Sequence, residues 1–240
     1  MKKVKLILVF ILIILCRINL TAQENSSQFS YGVHLGTSFS GFTHNREVFS
    51  LLKSGFTGGL FAEFKPLPYL GISLEADYLM EGAFHVDPLL VYVSSSVNYP
   101  GGLVYKYASD VTLHNIHFPL LINIRPITTG VSPTISLGYS FDYFLTVNSK
   151  DMIMASGTSG TSIPIANRSS ENVSSSFEKW NMGPVAGVGI NFPGNKFNIS
   201  FDVRYKVGLR NINNMSGLNI SNGQYNFSVN TLLFYLTISK

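Results

Sequence analysis

Apolar and polar residues alternate with period two in eight separate segments of the chain, the repeat that places successive side chains on opposite faces of a strand. The first, about 29–37, puts Tyr31, Val33 and Leu35 on one face. The second, about 55–65, aligns Phe56, Leu60, Ala62 and Phe64, with Glu63 opposite. In the third, Leu70, Ile72, Leu74, Ala76 and Tyr78 oppose Ser73, Glu75 and Asp77. The fourth, about 111–125, aligns Ile116, Phe118, Leu120, Ile122 and Ile124. In the fifth, Ile135, Leu137, Tyr139, Phe141 and Tyr143 oppose Ser136, Gly138, Ser140 and Asp142. The sixth sets Trp180, Met182, Ala186, Val188 and Ile190 against Asn181, Gly183, Gly187 and Gly189. The seventh, about 197–208, alternates Phe197, Ile199, Phe201, Val203, Tyr205 and Val207 with polar residues that include Asp202, Arg204 and Lys206. The eighth, about 227–239, reads in either register, and the favoured one turns Leu232, Phe234, Leu236 and Ile238 outward.

The connections alternate too. Residues 65–69, 125–130 and 193–196 are short and built from Pro, Gly and Asn, whereas about 38–54, 82–110, 146–176 and 210–224 are long. Short turns at one end and long loops at the other are the asymmetry of an outer-membrane barrel. Sidedness follows from the seventh segment. Arg204 and Lys206 facing lipid near the midplane would cost about 2–4 kcal/mol each, a large part of a net stability of about 5–15 kcal/mol. They are therefore expected inside, with the aromatic and β-branched residues outside. The predicted fold is all-β: an eight-stranded antiparallel up-and-down transmembrane β-barrel.

Composition narrows this further. Lys2, Lys3 and Lys5 precede an unbroken apolar run from Leu6 to Leu15, and Thr21-Ala22 supplies small residues before Gln23. This predicts a cleaved signal peptide over 1–22 and a barrel domain over 23–240. Cys16 follows bulky Leu15, which argues against lipid attachment there. All four signal charges (Lys2, Lys3, Lys5, Arg17) are positive, so 17 − 4 = 13 basic residues face 13 acidic ones in the remainder, and the basic balance gives no support to nucleic-acid binding. The same remainder has no cysteine, hence no disulfide and no thiol nucleophile. Only 12% of the chain is charged, about half the usual soluble share.

Three stretches resemble the PorT-like outer-membrane β-barrel family of Bacteroidetes. They are Ile116-His117-Phe118-Pro119-Leu120-Leu121-Ile122, the glycine-rich Gly183 with Ala186-Gly187-Val188-Gly189, and Arg204-Tyr205-Lys206-Val207-Gly208-Leu209-Arg210-Asn211-Ile212. His117 stands where that family usually has an acid, and Lys240 ends the chain where many barrels end in an aromatic. The resemblance implies a bacterial outer-membrane location. Named PorT proteins are linked to a protein-secretion system, while most members have no assigned activity.

Candidate chemistry centres on the charges placed inside: Glu75, Asp77, Asp142, Asp202, Arg204 and Lys206. Counted from the short turns, Glu75 and Asp202 lie five residues beyond Leu70 and Phe197, and Asp77 and Arg204 lie seven beyond, so each pair is expected at one height. Two readings fit: a salt-bridged structural plug or a gated ion path. His114 and His117, three apart on a strand, face opposite sides and cannot share a metal ion, and His34, His44 and His85 are scattered. No catalytic, cofactor or metal site is therefore expected. The functional expectation is a non-enzymatic barrel in contact with outer-membrane lipid. It would present loops to a protein partner, with Tyr92, Tyr99, Tyr105, Tyr107 and the run 89–93 as contact candidates. Two alternatives remain: a small passive pore, and a lipid-modifying enzyme using His114 with Ser109 or Ser140.

Overall fold

The computed structural model describes residues 28–44, 50–86, 104–156, 162–214 and 226–240. The expected signal peptide lies outside them, as do residues 87–103 of the second long loop. Nine strands follow in order: β1 (Phe29–His44), β2 (Leu51–Leu67), β3 (Leu70–Val86), β4 (Val104–Ile124), β5 (Ser132–Ser156), β6 (Ser162–Asn172), β7 (Trp180–Phe192), β8 (Asn198–Val207) and β9 (Phe227–Ser239). Every pairing between them is antiparallel. Eight of these strands close on themselves, because β9 pairs with β1 from Gly32↔Ser239 to His44↔Phe227. Closure removes the open edges that would otherwise expose unpaired backbone.

The eight expected strands are all present, and the eighth takes the favoured register: Phe234, Leu236 and Ile238 are exposed while Tyr235 and Thr237 are buried. The outer wall is greasy, with Leu35 66%, Leu60 63% and Leu74 60% exposed. Arg204 and Lys206 are buried inside, at 7% and 0%. The sheet accommodates them with glycine. A Cβ on Gly187 would lie 2.6 Å from Arg204 Cγ, and one on Gly189 would lie 2.3 Å from Asp202 Oδ1. Gly130, with φ +71°, takes the left-handed conformation that closes the β4–β5 turn.

Two features differ from the sequence expectation. First, the long connections are partly strand. β4 and β5 have 21 and 25 residues, against about 9–11 needed to cross a bilayer. The ladder therefore continues past the membrane, from Asp110↔Lys150 up to Val104↔Ser156, and β6 adds to it outside the closed ring. Alternation is weak there because neither face meets hydrocarbon, so the segment read as loop. Second, the inward face changes character at the long-loop end. Opposite His114/Asn115, the β5 ladder skips Leu145, which sits on the outside at 49% exposure. Val111, Leu113 and Phe144 continue the inward faces of β4 and β5, the bulge turns Val147 inward as well, and these four join Phe42, Phe177, Ile212 and Phe227 in one buried apolar cluster. The expectation that apolar residues face outward holds only across the membrane belt. Past it, water lies outside and the lumen becomes an ordinary hydrophobic core.

Candidate functional site: a layered charged lumen

Inward side chains alternate along each strand and meet across the barrel in layers. Nearest the short turns, Arg125 donates from Nη2 to both oxygens of Glu63, at 2.7 and 2.9 Å. Asn123 donates to Glu63 at 2.7 Å and accepts from Ser136 at 2.7 Å. These residues line a polar vestibule that opens at the turn end, where Lys65, Arg125, Asn191 and Asn198 also border the barrel mouth.

Above it lies a layer built on Glu75, Asp77 and Arg204. Arg204 Nη1 donates to Glu75 Oε2 at 2.6 Å, and its guanidinium carbon sits 4.8 Å from the centre of the Tyr235 ring. The Tyr235 hydroxyl donates to Asp77 Oδ2 at 3.2 Å. His34 Nε2 lies 2.6 Å from Asp77 Oδ1. The imidazole is held between Phe61, stacked at 5.8 Å, and Tyr235, tilted at 4.6 Å.

The next layer is organised by Lys206. Its ammonium donates to Glu81 at 2.8 and 3.0 Å and to Asp142 at 2.8 Å. Thr231 and Asn115 donate to Glu81 at 2.6 and 2.5 Å, and His117 Nδ1 lies 2.5 Å from Asp142 Oδ1. A lysine with no exposed surface is tolerable only with such complete pairing. The apolar cluster caps this layer. Segments near Phe177 and Ile212 fold over the rim and are tied down by Glu178 N to Ile212 O at 2.9 Å and Ile212 N to Phe227 O at 2.9 Å. Closer to the outer rim, Lys53 binds Asp110 and Thr112.

The six charges singled out from the sequence are all inside and buried. The structure brings five of them into ion pairs or shared carboxylate layers, and Asp202 has its hydroxyl contact from Ser200 at 3.4 Å. The height matching does not hold: Arg204 meets Glu75 and not Asp77. Tilted strands stagger the register around a barrel, so equal distance from a turn is not equal height. Sequence reasoning does not single out Glu81 or Tyr235, and it weighs His34 and His117 only as metal ligands that the spacing sets aside. Glu81 simply continues the inward series Ser73, Glu75, Asp77, and His117 occupies the inward slot between Ile116 and Phe118, so the signal was present.

The enzymatic arrangement does not assemble with Ser140. Its hydroxyl is buried inside, on Gly183 O at 3.4 Å. His114 faces the exterior, with Nδ1 2.5 Å from the Tyr78 hydroxyl. The side chains of Ser109, Tyr105, Tyr107, His44 and His85 lie outside the described residues. Near the strand ends, Tyr69 and Trp180 are exposed at 52% and 48%, and Trp180 packs on Tyr143 at 4.7 Å, positions suited to an interfacial aromatic girdle.

No curated protein matches the sequence. Among solved structures, the chain is similar to OprG from Pseudomonas aeruginosa, with 14% identity, 88% of this chain and 93% of that one covered, and a TM-score of 0.48. It is also similar to Ail of Yersinia pestis (13%, 89% and 100% covered, TM-score 0.39) and to the neisserial surface protein NspA (10%, 90% and 98%, TM-score 0.44). The sequence pattern described as outer membrane protein beta-barrel domain matches residues 21–214. A closed barrel with an apolar outer belt, inward charges and that match together place the chain in the family: it belongs to the outer membrane protein beta-barrel domain family, and it is a protein of the bacterial outer membrane.

Proposed function

We propose that this protein is a sealed, non-enzymatic barrel that serves the bacterial envelope as a structural or interaction component, presenting its long-loop end to a protein partner. The observation that carries the reading is the double closure of the lumen. The Lys206 layer leaves that ammonium and the Glu81 and Asp142 carboxylates without solvent access, and the apolar cluster lies directly beyond it. A hydrated ion would have to break buried pairs and then cross a hydrophobic core. The inward charges Glu75, Asp77, Asp142, Asp202, Arg204 and Lys206 act on this reading as a plug that fixes the register of strands far apart in sequence.

The surface offered to a partner is the part of β4, β5 and β6 that projects past the closed ring. Within the family, the likeness of Ile116–Ile122 and the glycine-rich β7 supports reading the chain as a PorT-like member. Residues 1–22 act as its export signal. Two experiments test the proposal. Planar-bilayer recording of the purified protein should give a flat trace, and steady unitary conductance would refute sealing. Crosslinking in intact cells should capture a defined protein that is lost when residues 150–170 are replaced by a short turn. An unchanged capture pattern would refute the role of the projecting strands.

A further inference from the structure

We propose that the inner end of the polar vestibule is a binding site for one divalent cation of borderline softness, such as Zn²⁺, held by His34, Glu75 and Asp77. A ring nitrogen of His34 and one carboxylate oxygen each from Glu75 and Asp77 lie within 4.8 Å of one another, and all three residues are buried. They come from two strands, β1 and β3, that contact each other across the inside of β2. One imidazole with two carboxylates suits zinc better than the all-oxygen sites favoured by magnesium or calcium. Zinc–ligand distances of about 2.0–2.2 Å require the three side chains to draw together slightly around the ion.

Two further observations point to a missing cation. The first is an orphaned nitrogen. His34 is 1% exposed and Nε2 faces Asp77, yet Nδ1 has no hydrogen-bond partner. An ion taken by Nε2 would replace its hydrogen bond to Asp77 Oδ1 and draw both His34 and Asp77 onto the metal, leaving Nδ1 as the ring's remaining donor. The second is charge. In the lumen Glu63 has Arg125 and Lys65, Glu75 has Arg204, and Glu81 and Asp142 share Lys206. Asp77 and Asp202 have no lysine or arginine within ion-pair distance among the described residues. The lumen thus holds six carboxylates against four Lys and Arg side chains, with His34 beside Asp77 and His117 beside Asp142, and a divalent ion would add positive charge where lysine and arginine are lacking.

The surroundings fit. Arg204 occupies Glu75 Oε2, leaving Oε1 free, and Tyr235 donates to Asp77 Oδ2, leaving Oδ1 for His34 or the ion. Such outer contacts hold ligating carboxylates in place. Access exists from the short-turn side, since His34 and Glu75 line the vestibule. That cavity, about 60 Å³, has room for an ion and a few waters but not for an organic ligand.

The site goes beyond the sealed-barrel reading and is measured separately, because metal content and conductance are independent readouts. The test is metal uptake by the purified barrel in detergent after chelation, using Zn²⁺ alone with Mg²⁺ as comparison. We expect one tightly held Zn²⁺ per chain and no matching uptake of Mg²⁺. Affinity should fall at least tenfold in both His34→Gln and Asp77→Asn, and remain unchanged in His117→Gln. If one of the two variants fails to fold, as judged by heat-modifiable gel mobility, the other carries the same expectation, and His34→Asn stands in for His34→Gln. Absence of saturable Zn²⁺ binding, or equal binding in wild type and the ligand variants, would overturn the proposal.

Discussion

Arg204 on β8 and Glu75 on β3 stand 129 positions apart in sequence and 2.6 Å apart across the lumen. Neither residue has a nearby substitute of opposite charge with equal access. The guanidinium has Asp202 beside it on the same strand, but Asp202 points its carboxylate toward Ser200. Glu75 has no other cation within ion-pair distance among the described residues. The pair therefore acts as a crossbar between opposite walls.

Breaking it from one side should strand a buried charge. Arg204→Met or Glu75→Leu alone should destabilise the barrel by about 3–5 kcal/mol, whereas the double variant should recover most of that loss, because an apolar pair of similar volume replaces the ions. Urea-induced unfolding in detergent, followed by gel mobility, measures all three. Additive losses in the double variant would mean the two residues do not interact.

Position within the lumen sets how much a lysine matters. Lys206 has no exposed surface and serves two carboxylates, while Lys65 is 30% exposed and 3.7 Å from Glu63. Lys206→Met should cost about 3–5 kcal/mol, the loss expected when one member of a buried network is removed. Lys65→Met should cost no more than about 1 kcal/mol, as for a surface pair. The same unfolding assay compares them directly.

Much of this was legible in the chain itself, for a simple reason. Membrane crossing forces every residue of a strand to choose lipid or lumen, so Phe201, Asp202, Val203 and Arg204 declare their sides one by one. The favoured register of β9 follows the same rule. What the chain does not carry is stagger. Whether Arg204 meets Glu75 or Asp77 depends on strand tilt around the closed ring, which no local pattern encodes. The projecting β4–β5–β6 hairpins carry no strand alternation because their two faces are not sorted by hydrocarbon. Leu113 and Phe144 keep the inward phase of Asn115 and Asp142, but the inward turn of Val147 stayed hidden because it follows from a single-residue bulge at Leu145.

The apolar cap makes its own prediction. Phe227 is 3% exposed and packs on Phe42 at 5.1 Å and Phe177 at 5.7 Å. Phe227→Ala should cost about 3–5 kcal/mol, as for other large core truncations, yet leave the bilayer trace flat because the Lys206 layer below remains closed. Channel openings in this variant would show that the cap alone seals the lumen.

Charge on the outer wall should be costly in proportion to depth. Phe201 is 55% exposed on the lipid-facing side of β8. Phe201→Arg should lower stability by about 2–4 kcal/mol if it sits near the midplane, and a position closer to the rim, such as Leu209→Arg, by about 0–1 kcal/mol. Folding into vesicles at graded urea concentrations reports both. Equal costs at the two positions would contradict the assigned membrane belt.

The sharpest test of sidedness is fluorescence quenching by lipids brominated in their acyl chains. With the single native tryptophan replaced (Trp180→Phe), one tryptophan is introduced at Phe201, Leu236 or Phe61. The first two positions face outward and Phe61 lines the vestibule. Strong quenching at Phe201 and Leu236 and little at Phe61 is the predicted result. Equal quenching at all three, or quenching only at Phe61, would contradict a barrel with hydrocarbon outside and charge within.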